Sequence, residues 1–425
     1  MSTTNFEPAS QSIATTDDLI GSGQEGSVAD QARAWLQRVR GGDMGPLPAI
    51  GGFVVLSILF SFLSPYFLTE RNFANLLTQA ATLVMLGMAL VFVILLGEID
   101  LSAGVTSGVT MVLFIVLTNV VKMNWVLALV LAFLAGIAIG TFIGFFVARV
   151  GIPSFVVTLG LFLGLQGVEL ILIGSGGLYR VETPEILAIM NNNMPDWAGW
   201  VMLAVIALVA LGTAMWDRAR RRRAGVSTRT VNLVWIQLAV ILVIGGVVIA
   251  LLNQNRGGAL HPVEGVPIVV PITLVILWAG TFVLDRTKFG RYIYAVGGNP
   301  EAARRAGVKV VLIRWVAFIV CSTLAVLAGL FSISKVGSVD ASAGRDIVLS
   351  GVAAAVVGGV SLFGGRGRLL HAAIGALVIA VITNGLGLLN LPAGANYAVT
   401  GGVLILAATV DALSRRRAGG SLTRA

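Results

Sequence analysis

The sequence predicts an all-α, polytopic integral membrane protein. Three observations carry that expectation. Only 12% of the residues are charged and 57% are hydrophobic, where a soluble domain carries about 25% charge. Mean hydropathy is +0.93. About twelve apolar segments, each long enough to cross or nearly cross a ~30 Å hydrocarbon core, follow one another along the chain. Glycine is also abundant, 52 of 425 residues, which suits closely packed membrane helices.

Residues 1–45 come first. They are polar and are expected to form a cytoplasmic tail without the apolar core of a signal peptide. At their end Trp35, Leu36 and Val39 alternate with Arg33, Arg38 and Arg40, a pattern for a short interfacial helix. The membrane-spanning apolar region is expected over 46–414, and a basic cytoplasmic tail over 415–425.

The crossing or re-entrant segments are expected near 48–67, 76–96, 102–121, 126–148, 154–174, 197–216, 231–252, 268–285, 312–334, 347–363, 369–390 and 397–413. The stretch 347–363 is short and Gly-rich, which leaves it open to being re-entrant. Lys and Arg set the orientation. Arg149, the cluster Arg218 to Arg229, the run Arg286 to Lys309, Arg366, Arg368 and Arg415 to Arg417 fall on one side. Only Arg71, Lys122, Arg180, Arg256, Lys335 and Arg345 fall on the other. The arrangement is therefore N-in, C-in. With the basic residues explained by lipid, no nucleic-acid partner is called for. The one cysteine, Cys321, and the distant His261 and His371 offer no metal-ligand spacing.

Several positions carry two readings. Gly136, Gly140 and Gly144 recur every four residues on one face, either for static packing or for a moving interface. Glu169 either snorkels toward water or lines a path. Asn191 to Asn193 and Trp197 sit in the loop 175–196, an ordinary solvated loop or a docking surface.

The stretch Gly97-Glu98-Ile99-Asp100-Leu101-Ser102-Ala103-Gly104 places two carboxylates between long apolar runs. Each costs roughly 2.5–3.5 kcal/mol at a helix centre. Three roles compete for Glu98 and Asp100. They cap the next helix at Ser102, line a polar path, or couple protons. Asn384 and Asn390 are further candidates for the path, and Asn384 equally for a bond to a neighbouring helix. A faint echo, Gly358 to Gly365, repeats the frame of Gly97 to Gly104, as internal repeats with broken helices do in transporters.

Between the eighth and ninth segments runs Phe289 to Val308. Gly297-Gly298-Asn299-Pro300 is a turn signal. Asn299 caps, Pro300 suits the first helical position, Glu301 favours the positive end of the dipole, and Gly307 ends a short helix. Glu301-Ala302-Ala303 followed by Gly307 resembles the cytoplasmic coupling motif of bacterial ABC importer permeases. Together with Glu98-Ile99-Asp100-Leu101-Ser102, and over Asn72 to the basic end, the chain resembles the permease of carbohydrate-uptake ABC systems of the ribose and xylose class. The xylose type is the nearest, given the extra span near 231–252. The resemblance implies a monosaccharide importer, of xylose or a related pentose, working by alternating access. It implies two permease copies, a separate ATP-binding cassette subunit and a periplasmic sugar-binding protein. Glu301, Ala302, Ala303, Arg304 and Gly307 would dock the ATPase, and ATP would be bound there and not by this chain. Independently, no Gly-Lys dipeptide exists to form a P-loop. No enzyme constellation is evident within the spans. The alternative is a proton-coupled secondary sugar transporter.

Overall fold

The structure is a computed structural model that describes residues 45–420 other than 175, 176, 226–230, 258–261, 343 and 346. The expected interfacial helix at 32–40, most of the polar tail, Arg229 and His261 lie outside the described residues. The described residues divide into two compact units, one within 200–248 and one of 45–199 with 249–420.

The helices are α1 (Leu47–Leu63), α2 (Glu70–Ile94), α3 (Ala103–Ile115), α4 (Trp125–Gly144), α5 (Ser154–Ile173), α6 (Pro184–Asn191), α7 (Asp196–Arg223), α8 (Val231–Leu252), α9 (Val269–Arg286), α10 (Lys288–Gly298), α11 (Pro300–Arg305), α12 (Val310–Val336), α13 (Ile347–Val357), α14 (Leu369–Leu388) and α15 (Ala393–Gly420). Two strands, β1 (Tyr179–Arg180) and β2 (Ser338–Val339), pair antiparallel. π-Helical turns prolong α3 and α4 to Val120 and Val150. Among the described residues, nine helices are long and apolar enough to cross a membrane. Each of the twelve expected segments contains an apolar helix. Three of these, in α1, α13 and α15, are shorter than a full crossing.

In the smaller unit, α7 from Trp200 onward and α8 pack through small contacts. A Cβ on Gly245 would press on the Leu203 side chain. α7 is 28 residues long, or about 42 Å. That exceeds a ~30 Å core and carries Arg220 to Arg223 past it.

In the larger unit, α2 and α12 form the centre, with α3, α4, α13 and α14 packed around them. Met85 to Leu96 is buried on every side, as expected of a helix apolar all round. The Gly136, Gly140 and Gly144 face meets α12 at Val326, Ile319 and Trp315, with no room for a Cβ at any of the three. These glycines lie in a helix–helix contact. The loop 175–196 holds β1 and α6. Ser334 of α12 accepts from the Met190 amide at 3.0 Å and donates to the Leu187 carbonyl, so α6 is tied to α12.

The break at Gly97 has a structural counterpart, but not at Gly358. After α2, Gly97 turns with φ +75°, and Asp100 Oδ1 accepts from the Ser102 amide (2.9 Å) and hydroxyl (2.6 Å). After α12, Gly337 turns with φ +74°, and Asp340 Oδ1 accepts from the Ser342 amide (2.7 Å) and hydroxyl (2.6 Å). The two sequences share Gly-x-Ile/Val-Asp-x-Ser-Ala-Gly, at Gly97 to Gly104 and Gly337 to Gly344. Each elbow follows a long helix and leads into a shorter one. α2 runs into the α10–α11 loop and α12 starts from it, so the elbows lie toward opposite ends. They meet at their last residues. A Cβ on Gly104 or Gly344 would overlap the other's carbonyl oxygen. The pair is an inverted repeat of the kind found in transporters. Residues 358–365 instead pack against the first elbow. The frame of spaced glycines misled because Gly is common here, whereas the Asp-x-Ser turn carries the hydrogen bonds.

Asp100 and Ser102 are fully buried, while Asp340 and Ser342 are exposed. α13, at 11 residues, is about 16 Å long. It is a half-length helix whose other half is the extended second elbow. The apolar run 347–363 is therefore helical only to Val357.

One substitution pair checks the elbows. Asp100→Ala strands a buried amide and is expected to cost about 1–3 kcal/mol. Asp340→Ala loses the same bonds where water replaces them, and should cost less than about 1 kcal/mol. Thermal unfolding in detergent measures both, and equal losses would contradict the assignment.

Candidate functional site

Two regions carry polar chemistry. The first is the loop between α9 and α12. Thr287 caps α10, its hydroxyl accepting from the Gly290 amide. α10 buries Ile293 and Val296. The Tyr294 hydroxyl donates to the Gly367 carbonyl at 2.8 Å. Burial pushes that phenol up to about 12, helped by Asp285 and opposed by Arg368. Gly297 and Gly298, expected in a turn, form the last turn of α10. Gly297 is required for another reason, since a Cβ there would overlap the Leu95 carbonyl at the end of α2.

Asn299 caps α11, its Oδ1 accepting from the Ala302 amide at 2.9 Å. Pro300 follows at the first position. Gly307, at φ +83°, closes the turn with its amide on the Arg304 carbonyl. Glu301 pairs with Arg304 at 2.8 Å and Arg305 at 3.4 Å, all three exposed. The hydrogen bond from Arg304 holds its carboxyl below the usual range. Ala302 faces out with these charges and Ala303 is buried. The small side chain at 303 thus seats the helix on its own chain. Glu301, Ala302, Arg304 and Gly307 form the free surface.

Behind this loop three backbones converge. The Gly365 amide donates to the Leu95 carbonyl at 2.8 Å. A Cβ on Gly364 would come 2.8 Å from the Gly97 amide and 3.0 Å from the Gly297 carbonyl. The loop, the first elbow and the turn after α13 are in backbone contact, with no side chain between them.

The first elbow holds three of the expected path residues. Glu98 meets Arg314 at 3.3 Å. Asp100 and Ser102 hydrogen bond to each other, and Cys321 Sγ lies 3.6 Å from Asp100 Oδ2. The capping role weighed for Asp100 is the one its hydrogen bonds serve. Glu169, expected to reach water or a path, is fully buried on α5. The apolar neighbours Val105, Val109 and Leu165 enclose that part of the bundle.

The second region is a cavity of about 530 Å³ among α2, α12, α13, α14 and α15, lined by Asn75, Gln79, Thr82, Ser332, Lys335, Ser350, Thr383, Asn384, Asn396, Tyr397 and Thr400 with a few apolar residues. Asn384 reaches it and also exchanges two 2.9 Å amide bonds with Asn72 across the α2–α14 contact. Asn384 thus bonds a neighbouring helix and also borders this cavity. Glu98, Asp100 and Ser102 are not among its lining residues. Four lining groups are buried and lack a hydrogen-bond partner: Gln79 Oε1, Thr82 Oγ1, Lys335 Nζ and Asn396 Oδ1. Such atoms are costly without a partner. The sequence carried a signal for part of this wall. Asn75, Gln79 and Thr82 stand four and three residues apart, a polar stripe down one face of an apolar helix.

Residues 72–408 match the family described as branched-chain amino acid transport system / permease component. Among individual proteins, the chain is similar to the xylose transport system permease protein XylH of Escherichia coli (strain K12), at 33% identity over 87% of this chain and 92% of the relative. The Haemophilus influenzae protein of that name is 32% identical, over 86% and 96%. The ribose import permease protein RbsC of Escherichia coli (strain K12) is 28% identical, over 89% and 95%. No solved structure matches. With the family match spanning most of the length, from α2 into α15, the chain belongs to the permease-component family of the branched-chain amino acid transport systems, as a multi-pass membrane subunit and not an enzyme.

Proposed function

We propose that the chain is the membrane permease of an ATP-driven importer for a monosaccharide, xylose or a related pentose. The observation that carries this reading is the polar cavity with its four unpartnered groups. A sugar offers hydroxyls that both donate and accept. They match amide and hydroxyl oxygens and an ammonium group without bringing charge. The volume lies within the usual ligand range of about 300–1,000 Å³. The names of the relatives, permeases for xylose and ribose, favour the same substrate class.

The energy enters at α11. Its exposed Glu301, Ala302, Arg304 and Gly307 offer a small, charged, capped helix to a groove in a separate ATP-binding subunit. ATP-driven movement there passes through the Gly297–Leu95–Gly365 contact to the first elbow and the end of α2. The cavity then opens alternately to the two sides. A periplasmic sugar-binding protein delivers substrate, and a second permease copy completes the pore. The orientation is N-in, C-in, with α11 cytoplasmic.

Three experiments test this. Glu301→Arg reverses the exposed charge and should abolish association with the ATPase subunit in co-purification, along with uptake. Thr82→Val and Asn396→Leu each remove one hydrogen-bonding group worth about 0.5–1.5 kcal/mol. Each should slow ATP-driven sugar uptake by roughly 2–10-fold while leaving ATPase association intact. If the chain alone in liposomes accumulated sugar on a pH gradient, the proton-coupled alternative would stand instead.

A further inference from the structure

Glu169 is the buried acid that the transport route leaves unused. It is fully buried on α5, and neither carboxylate oxygen accepts a hydrogen bond. A dry, unpaired carboxylate is expensive. A chain that keeps one either holds it protonated or supplies it with a partner in some state of its cycle. The charges that act on it are Arg345, of opposite sign, and Asp340, of like sign. Both belong to the second elbow or lie one residue beyond it. α5 packs along α3, whose Gly104 touches Gly344, so the acid and the elbow share the same neighbour. Arg345 itself is exposed.

The two elbows share one turn and differ in its burial and in the charge pairing beside it. Their Asp-x-Ser turns match within about 0.2 Å in both bonds. The first is buried, with the ion pair Glu98–Arg314 beside it, and the second is open, with its nearby acid unpaired. Inverted repeats exchange their arrangements as one rocks against the other. In the opposite state the second elbow would be the buried one. We propose that Glu169 then receives Arg345, and that this ion pair latches the second elbow shut. The proposal rests on the alternating-access reading above.

The test uses the assembled transporter in proteoliposomes, with its ATPase subunit and binding protein. Glu169→Gln and Arg345→Gln should each cut ATP-driven sugar uptake on the order of tenfold or more while ATP hydrolysis continues. The exchange Glu169→Arg with Arg345→Glu should restore most of it. The pair Glu169→Cys with Arg345→Cys should cross-link in only one of two conditions, nucleotide-free or trapped with ATP and vanadate. The native Cys321 is buried and gives little background. Should the charge exchange not insert, the cysteine pair decides alone. A Glu169→Gln transporter with wild-type uptake, or equal cross-linking in both conditions, overturns the latch. Absence of ATP-driven uptake in the wild-type assembly overturns the permease reading instead, so the two failures are separable.

Discussion

The structure depends on a place where three backbones meet with nothing between them. Gly297 abuts the Leu95 carbonyl, Gly365 donates to that carbonyl, and Gly364 lies against Gly97 and Gly297. Any side chain here would wedge apart the end of α2, the α10–α11 loop and the turn after α13. Side chains yield by changing rotamer, whereas backbone in van der Waals contact does not. In the proposed coupling role of α11, a push on it would reach the centre of the bundle through this contact. The remaining features follow from that contact. Thr287 and Asn299 fix the two loop helices, Tyr294 pins them to Gly367, and Ala303 seats the outer one.

Much of this was legible in the sequence. Apolar length and charge asymmetry located the helices, because lipid demands both. Asn299, Pro300 and Gly307 announced α11, since caps and left-handed turns are local chemistry. The cavity was harder to read. Asn75, Gln79 and Thr82 share a face of α2, but Lys335 and Asn396 join them only through packing, which no local pattern encodes. The inverted repeat was written plainly at Gly337 to Gly344, yet the search by glycine frame settled on Gly358 to Gly365. The Asp-x-Ser turn is the diagnostic part because it supplies the same pair of hydrogen bonds in both elbows. Glu169, read as either reaching water or lining a path, is buried by tertiary packing that no local pattern encodes.

The elbows also explain why costly carboxylates sit between the spans. A chain that stops one helix and starts another inside a membrane exposes free amides at the new helix. Asp100 answers the amide and hydroxyl of Ser102, directly before α3, and Asp340 closes the same turn on Ser342, ahead of α13. The charge is the cost of a break, and the break gives the bundle a pair of joints related by symmetry.

α12 joins these parts directly. It leaves the loop at Val310, passes Gly136 to Gly144 of α4, reaches Ser332 and Lys335 on the cavity wall, and ends at the second elbow. It is 27 residues without interruption, about 40 Å of stiff rod. A tilt of about 10° at one end displaces the other by about 7 Å on that length. α12 thus has the form of a lever arm between the α11 loop and the polar cavity, and in the proposed transport cycle a small stroke at one end becomes a larger one at the other.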